Sequence, residues 1–237
     1  MKYIVNVLLL ILVVLFINII NNNTIKHIDK LENTTIEKIN NMKLSMNNNA
    51  VQIAGVKHII DSTIDLDSEV SFNYAEKIVN TANRYNTVSV SLLTSLIFHE
   101  SRFKAYIVSS SGAGGLGQLM PETVDMICEK WNMNCTDSTV FDYVFNIRAT
   151  AWYLDWLYKN PKICKDDIER TLAYYNGGGN QAYRWSVYRK HTNGVTLDSL
   201  EIYYMNILAI ETKNYVHNVL HNDSLFKKHI KNTLPLG

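Results

Sequence analysis

Val90-Ser-Leu-Leu-Thr-Ser-Leu-Ile-Phe-His-Glu100 is the stretch that decides the fold. Leu93, Leu96, Ile97 and Glu100 fall at i, i+3, i+4 and i+7, one stripe of a helix, so a carboxylate continues an apolar face. A carboxyl group desolvated in this way keeps its proton to higher pH, as a general acid must. Directly downstream come Ser101, the triplet Ser109-Ser-Ser111 and the run Gly112-Ala-Gly-Gly-Leu-Gly-Gln-Leu-Met-Pro121. One acid at a helix end, facing a glycine loop, marks the floor of a cleft.

Around this stretch the chain reads as helices. Asn73 is placed to cap a helix carrying Ala75, Ile78, Val79 and Ala82 on one face. Pro121 stands at a first helical position. Tyr143 to Lys159 predicts a long helix ending before Asn160-Pro161, and Asp166 to Tyr175 another, stopped by Asn176-Gly-Gly-Gly179. A last helix is expected over about Asp198 to Leu220. The best strand candidate, Ala105 to Val108, is short. The expected fold class is mainly α, in one domain over 70–237.

Composition narrows the partners. The chain has 237 residues, 47% of them hydrophobic, enough for one ordinary core. With 23 basic and 22 acidic residues the formal net charge is +1, so nothing points to nucleic acid, which asks for a clustered basic surface. Cys128, Cys135 and Cys164 are too few for a disulfide scaffold and lack zinc-ligand spacing. In an oxidising compartment Cys128 and Cys135 could close a small loop and leave Cys164 over. No metal or organic cofactor is expected.

The N-terminus carries a second signal. Tyr3 to Ile20 is apolar except for Asn6 and Asn18, follows Lys2, and leads into no small-x-small cleavage site. We expect a single-pass anchor or signal over 1–22, the uncleaved anchor preferred, with Lys2 inside and the long side exported. Residues 23–69 are polar and asparagine-rich. Ile25, Ile28, Leu31, Ile36, Ile39 and Met42 sketch a weak stripe that would suit a stalk helix, but a flexible spacer is the preferred expectation.

The glycine run invites two nucleotide readings, and both fail. Gly112-Ala-Gly-Gly-Leu-Gly117 formally fits G-x-G-x-x-G, but no strand runs into it and no βαβ pattern surrounds it. A P-loop would need Lys-Ser/Thr where Gln118-Leu119 stand.

Taken whole, the segment from Glu100-Ser-Arg-Phe through Ser109 to Gly-Leu-Gly-Gln118-Leu-Met-Pro121 closely resembles the first signature of the soluble lytic transglycosylase (SLT) family. Ala173-Tyr-Tyr175-Asn176-Gly-Gly178 looks like that family's Ala-Tyr-Asn-x-Gly element. Ile210-Glu211-Thr-Lys-Asn-Tyr215-Val216 looks like its Glu-Thr-x-x-Tyr-Val element. The resemblance covers roughly residues 70–222 and leaves out the N-terminal segments. It implies a lysozyme-like (SLT/goose-lysozyme) helical domain that cleaves the MurNAc–GlcNAc β-1,4 bond of peptidoglycan glycan strands. Glu100 corresponds to the catalytic acid, and Ser109, Gln118, Tyr175, Asn176 and Glu211 to substrate-binding positions. Two departures stand out: Gly117, where the family more often has methionine, and Ala105, where proline is common.

Chemistry can be argued beside the resemblance. Sugar hydrolysis usually uses two flanking carboxylates, and no second acid follows within the loop. Glu100 could then protonate the leaving oxygen and afterwards take the proton of the sugar's own 6-hydroxyl, closing a 1,6-anhydro ring. The rivals are a hydrolytic muramidase on the same fold and an inactive wall-binding or assembly protein. An exported domain of this kind would face the periplasm from the inner membrane, or be secreted after signal cleavage. Partners in a secretion, conjugation or phage machine stay open. Plainer roles also stand: Ser109 and Gln118 satisfying loop backbone, Glu211 holding the cleft by hydrogen bonds, Trp152 and Trp156 in the core in preference to serving as sugar platforms, and one of Tyr174 and Tyr175 facing inward. His99 is assigned no role.

Overall fold

The α3 helix, Val90–Ser101, starts where Ser89 accepts the Leu92 N–H through its hydroxyl at 3.1 Å. It ends in two consecutive left-handed residues, Arg102 at φ 53° and Phe103 at φ 61°. Left-handed backbone is costly for residues with a side chain. Phe103, fully buried, and Arg102, its guanidinium 3.7 Å over the Phe98 ring, hold the turn in place. Glu100 therefore sits on the last helical turn, just before the chain swings into the glycine loop.

This is a computed structural model describing residues 2–233, with side-chain placement for 12–18 and 20–233. The other helices are α1 (Lys2–Asp61), α2 (Ser68–Ala82), α4 (Pro121–Trp131), α5 (Tyr143–Lys159), α6 (Ile168–Thr192), α7 (Ser199–Asn206) and α8 (Ile210–Asn232). A 3-10 turn, Thr139–Phe141, precedes α5. The chain divides after Asn48 into two units.

Residues up to Asn48 form the first unit, whose described residues all lie within α1. The expected stripe is helical, and its members from Ile25 to Met42 are exposed. The flexible spacer is thus replaced by helix. Among the described residues no helix is long and apolar enough to cross a membrane. The anchor expected over 1–22 rests largely on residues 1–11, whose side chains lie outside the described residues.

The second unit, from Asn49 onward, begins inside the segment expected to be spacer. Val56 and Ile60 are fully buried in the main core, and a side chain on Gly55 would come within 2.9 Å of the Ile230 backbone on α8. Leu93, Leu96 and Ile97 of α3 join that core with Val216 and Val219 of α8 and Ile78 and Val79 of α2. Polar residues of α3 at four-residue intervals fix the α3–α8 register. Ser91 donates to Asp223 at 2.5 Å, Ser95 to the Val219 carbonyl at 2.7 Å, and His99 pairs with Asn222 at 2.9 Å. His99, given no role from sequence, is part of this seam.

Several sequence expectations shift in detail. The α2 cap is Asp67, whose carboxylate accepts the Glu69 N–H at 2.8 Å, so the helix starts before Asn73. The stretch Ala105–Val108 makes only an isolated bridge, Val108 to Gly114, because the partnering backbone is a tight loop rather than an extended strand. Helix α6 does not stop at Asn176. It resumes after a break at Gly178 (φ 72°, ψ −171°), backbone that glycine adopts without a side-chain penalty. The last expected helix is two, with α7 closed by an Asp198–Glu201 capping box. Cys128 and Cys135 form a disulfide, and Cys164 is free and buried.

Candidate active site

Helix α3 delivers Glu100 with part of its surface still open, while its neighbours on the stripe are sealed inside. The Tyr215 hydroxyl, from the second turn of α8, donates to Glu100 Oε1 at 2.5 Å. Burial pushes the Glu100 carboxyl up from the usual range to about 7; the Tyr215 hydrogen bond opposes this, and the charge of Glu211 adds to it. The phenols of Tyr175 and Tyr215 are both held well above their usual range, first by burial and then by the charge of Glu100. Two tyrosines and one acid therefore share a pocket of low polarity. A carboxyl poised near neutral pH can both give and accept a proton.

The glycine loop closes the other side. Ser109 forms a tight turn, its N–H donating to the Ala113 carbonyl at 2.9 Å and its hydroxyl accepting the Ala113 N–H at 3.0 Å. Gly114 and Leu119 exchange both backbone hydrogen bonds at 3.0 Å. Gln118, at φ 46°, folds its amide back so that Nε2 donates to the Gly115 carbonyl at 2.9 Å and to Ile107 at 3.2 Å. Ser109 and Gln118 thus serve the loop's own backbone, the plainer of the roles open from sequence.

The loop is pinned from α5 by Asn146, fully buried. Its Oδ1 accepts the Gly117 N–H at 2.7 Å, and its Nδ2 donates to the carbonyls of Val140 at 2.8 Å and Gly114 at 3.3 Å. A side chain on Gly115 would strike Asn146 Nδ2 at 2.3 Å, and φ +76° there already calls for glycine. The Gly117 carbonyl takes the Tyr175 hydroxyl at 2.7 Å, so the two peptides that flank Gly117 are gripped from α5 and α6. At Gly117 itself a Cβ would fall 1.9 Å from Thr150 Oγ1. Thr150 occupies the room that a larger residue at 117 would need.

Asn176, next to the α6 break, accepts the Thr212 hydroxyl at 2.8 Å, and Gln181 accepts the Ala209 N–H at 3.2 Å. These bonds fasten the first turn of α8, which carries Glu211, exposed, at a helix N-terminus that favours negative charge. The structure therefore brings Glu100, Tyr175 and Glu211 into electrostatic reach of one another, sets Ser109 and Gln118 in the loop opposite, and gives Asn176 a bracing part. Tyr174 and Tyr175 are both partly exposed, and Tyr175 packs on both hydrophobic clusters. Sequence reasoning overlooked Tyr215 and Asn146. The first had a signal, since four residues after Glu211 it shares a helix face; the second, an asparagine amid apolar residues, had none. Among the described residues no group of three or more His, Cys, Asp or Glu could hold a metal ion.

Comparison with known proteins adds the following. The family model described as Transglycosylase SLT domain matches residues 77–196. No curated protein matches. An inactive mutant of the lytic transglycosylase Slt from Pseudomonas aeruginosa is similar in structure at 23% identity and TM-score 0.51, over 65% of this chain and 24% of that one. The 70 kDa soluble lytic transglycosylase from Escherichia coli is similar at 20% identity and TM-score 0.50, over 73% and 28%. A 70-kDa soluble lytic transglycosylase in complex with bulgecin A gives 20% identity and TM-score 0.52, over 76% and 29%. At such identities the likeness is one of fold, and the chain matches less than a third of the length of each of these proteins.

Proposed function

This chain belongs to the Transglycosylase SLT domain family, and from that membership we propose that it is a peptidoglycan lytic transglycosylase, with Glu100 as the single acid and base. The observation that carries the proposal is the state of Glu100: largely desolvated beside two tyrosines, held by Tyr215, and pushed up to about 7. Protonated Glu100 gives its proton to the glycosidic oxygen between MurNAc and GlcNAc as that bond breaks. The N-acetyl oxygen of the substrate supports the developing cation. The Glu100 carboxylate then takes the proton of the MurNAc 6-hydroxyl as its oxygen bonds to C1. The products are a 1,6-anhydro end and a free 4-hydroxyl; Glu100 is protonated again and no water is consumed. Ser109 and Gln118 shape the loop facing the bond, and Tyr175, Asn176 and Glu211 line the opposite side.

One observation favours a second reading. Glu211 is a second carboxylate whose charge reaches Glu100, and a pair of acids spaced to admit water would make the enzyme a muramidase. Mass spectrometry of fragments released from purified cell wall decides: anhydro ends support the transglycosylase, and ends heavier by one water support the muramidase. Loss of all release in Glu100→Gln assigns the chemistry to this residue; unchanged release would remove it. An inactive wall-binding protein would release nothing in either form. The setting we propose is export, with residues 1–22 as a membrane anchor. Protease accessibility of the tagged C-terminus in intact and osmotically opened cells tests it.

A further inference from the structure

Trp152 and Trp156 were expected in the core, but both keep part of their surface open. Trp152 packs on the smaller hydrophobic cluster, whereas Trp156 packs on neither cluster. Their rings lie within 15° of parallel, with centroids 6.2 Å apart. They line an open hollow of about 520 Å³, rimmed by Asp155, Lys159, Asn160 and Lys162. The hollow falls in the size range of small-ligand sites, roughly 300–1,000 Å³. Trp152 fills part of that smaller cluster, but Trp156 does not, and its part-open ring faces the hollow.

The rings also continue toward the acid. Trp156 lies 6.0 Å from Tyr153 at an interplanar angle of 14°, and Tyr153 lies 5.6 Å from Tyr175, which lines the Glu100 pocket. We propose that the Trp152–Trp156 hollow is a second carbohydrate-binding site, which holds a peptidoglycan glycan strand away from the bond being cut. The inference rests on the proposed substrate class. An aromatic face suits the C–H face of a pyranose ring, and a polar rim suits its hydroxyl edge. The Asp155 carboxylate is occupied by Thr87 and Lys159, so it braces the rim. Lys162 is exposed and supplies a positive charge at the edge of the hollow. The lactyl carboxylate of MurNAc is the complementary charge. An acyl chain would gain nothing from this charged rim.

The test uses the full chain in a Glu100→Gln background, so that substrate is bound and not consumed. Sedimentation with amidase-stripped glycan strands, which keep the lactyl carboxylate, is compared for Glu100→Gln alone and with Trp156→Ala, Trp156→Phe or Lys162→Glu added. Trp156→Ala is expected to weaken binding about tenfold, Trp156→Phe to retain most of it, and Lys162→Glu to weaken it with a smaller salt dependence. Lys162 lies on the surface, so its variant keeps the test informative even if Trp156→Ala fails to fold by circular dichroism. Equal sedimentation of all variants overturns the site, as does a loss of co-sedimentation with anionic phospholipid vesicles on Trp156→Ala that is not matched by a loss with glycan. Trp156-dependent glycan binding without anhydro or hydrated products from the wild type would sink the proposed reaction and leave this site standing. Product release with Trp156-independent binding would do the reverse.

Discussion

The two flanks of the cleft are built on opposite principles. On the acid flank, α3 and α8 largely bury a titratable group and give it a hydrogen bond from Tyr215, so its state follows burial first, then that bond and the charge of Glu211. On the loop flank, 102–120, one uncharged buried side chain, Asn146, bonds two backbone groups of the loop and ties them to the Val140 carbonyl of the 3-10 turn. The difference shows where chemistry and geometry are kept. Proton affinity is adjusted where few bonds constrain the group. Position is fixed where a buried amide uses both its acceptor and its donors on the backbone.

The largest effect expected from breaking this contrast is on the acid flank. Glu100→Gln should lower muropeptide release by about 10²–10⁴-fold, the usual weight of general acid–base catalysis. The same variant should change stability in a definite direction. Because the folded pKa is raised from 4.5 to about 7, the wild type binds more protons folded than unfolded across that window. Its stability contribution is therefore full below 4.5 and is lost as pH rises through 7. Glu100→Gln should match the wild type in acid and exceed it by on the order of 3 kcal/mol above neutrality. Denaturant melts at several pH values check this.

On the loop flank the counterpart is Asn146→Ala, which strands the Gly117 N–H and the Val140 carbonyl and leaves the Gly114 carbonyl with its Leu119 bond alone. We expect a loss of about 3 kcal/mol, seen as a fall in Tm of roughly 10 °C. Asn146→Asp, keeping only the acceptor for Gly117, should fall between. If Asn146→Ala melts like the wild type, the loop is held by something else.

Smaller effects sharpen the acid flank alone, and they carry opposite signs. Activity should fall as pH rises through about 7, where Glu100 loses its proton. Tyr215→Phe removes the bond that favours the carboxylate and should move this limb upward. Glu211→Gln removes a negative charge and should move it downward, with the smaller change in rate. Limbs that shift together in a pH–rate profile would show that Glu100 is not the titrating acid.

Legibility followed the same division. Glu100 and its stripe could be read from sequence because helical periodicity is local: Leu93, Leu96 and Ile97 are all fully buried as their spacing requires. The Pro121 start of α4 and the bounds of α5 were visible for the same reason. Partners across the fold were not. Tyr215 meets Glu100 across 115 residues, and Asn146 meets Gly117 across 29; no periodicity encodes such pairs. The α6 break was misplaced because three successive glycines promise a stop, whereas only Gly178 leaves helical backbone and the chain resumes beyond it. Trp152 does pack on the smaller cluster, whereas Trp156 misled, because i, i+4 spacing reports a shared helix face and says nothing of whether another element covers it.

The last turns of α1 have a consequence for anyone who would shorten or fuse this protein. Composition puts the start of the globular part near residue 70, and the family model begins at residue 77. A chain trimmed to either point loses Val56 and Ile60, opens the wall they pack on, and leaves Ile230 without the close backbone neighbour that Gly55 permits. Such a product would carry every residue of the cleft and still offer a sticky apolar face to its neighbours. The workable cut lies at Asn49, where the second unit begins.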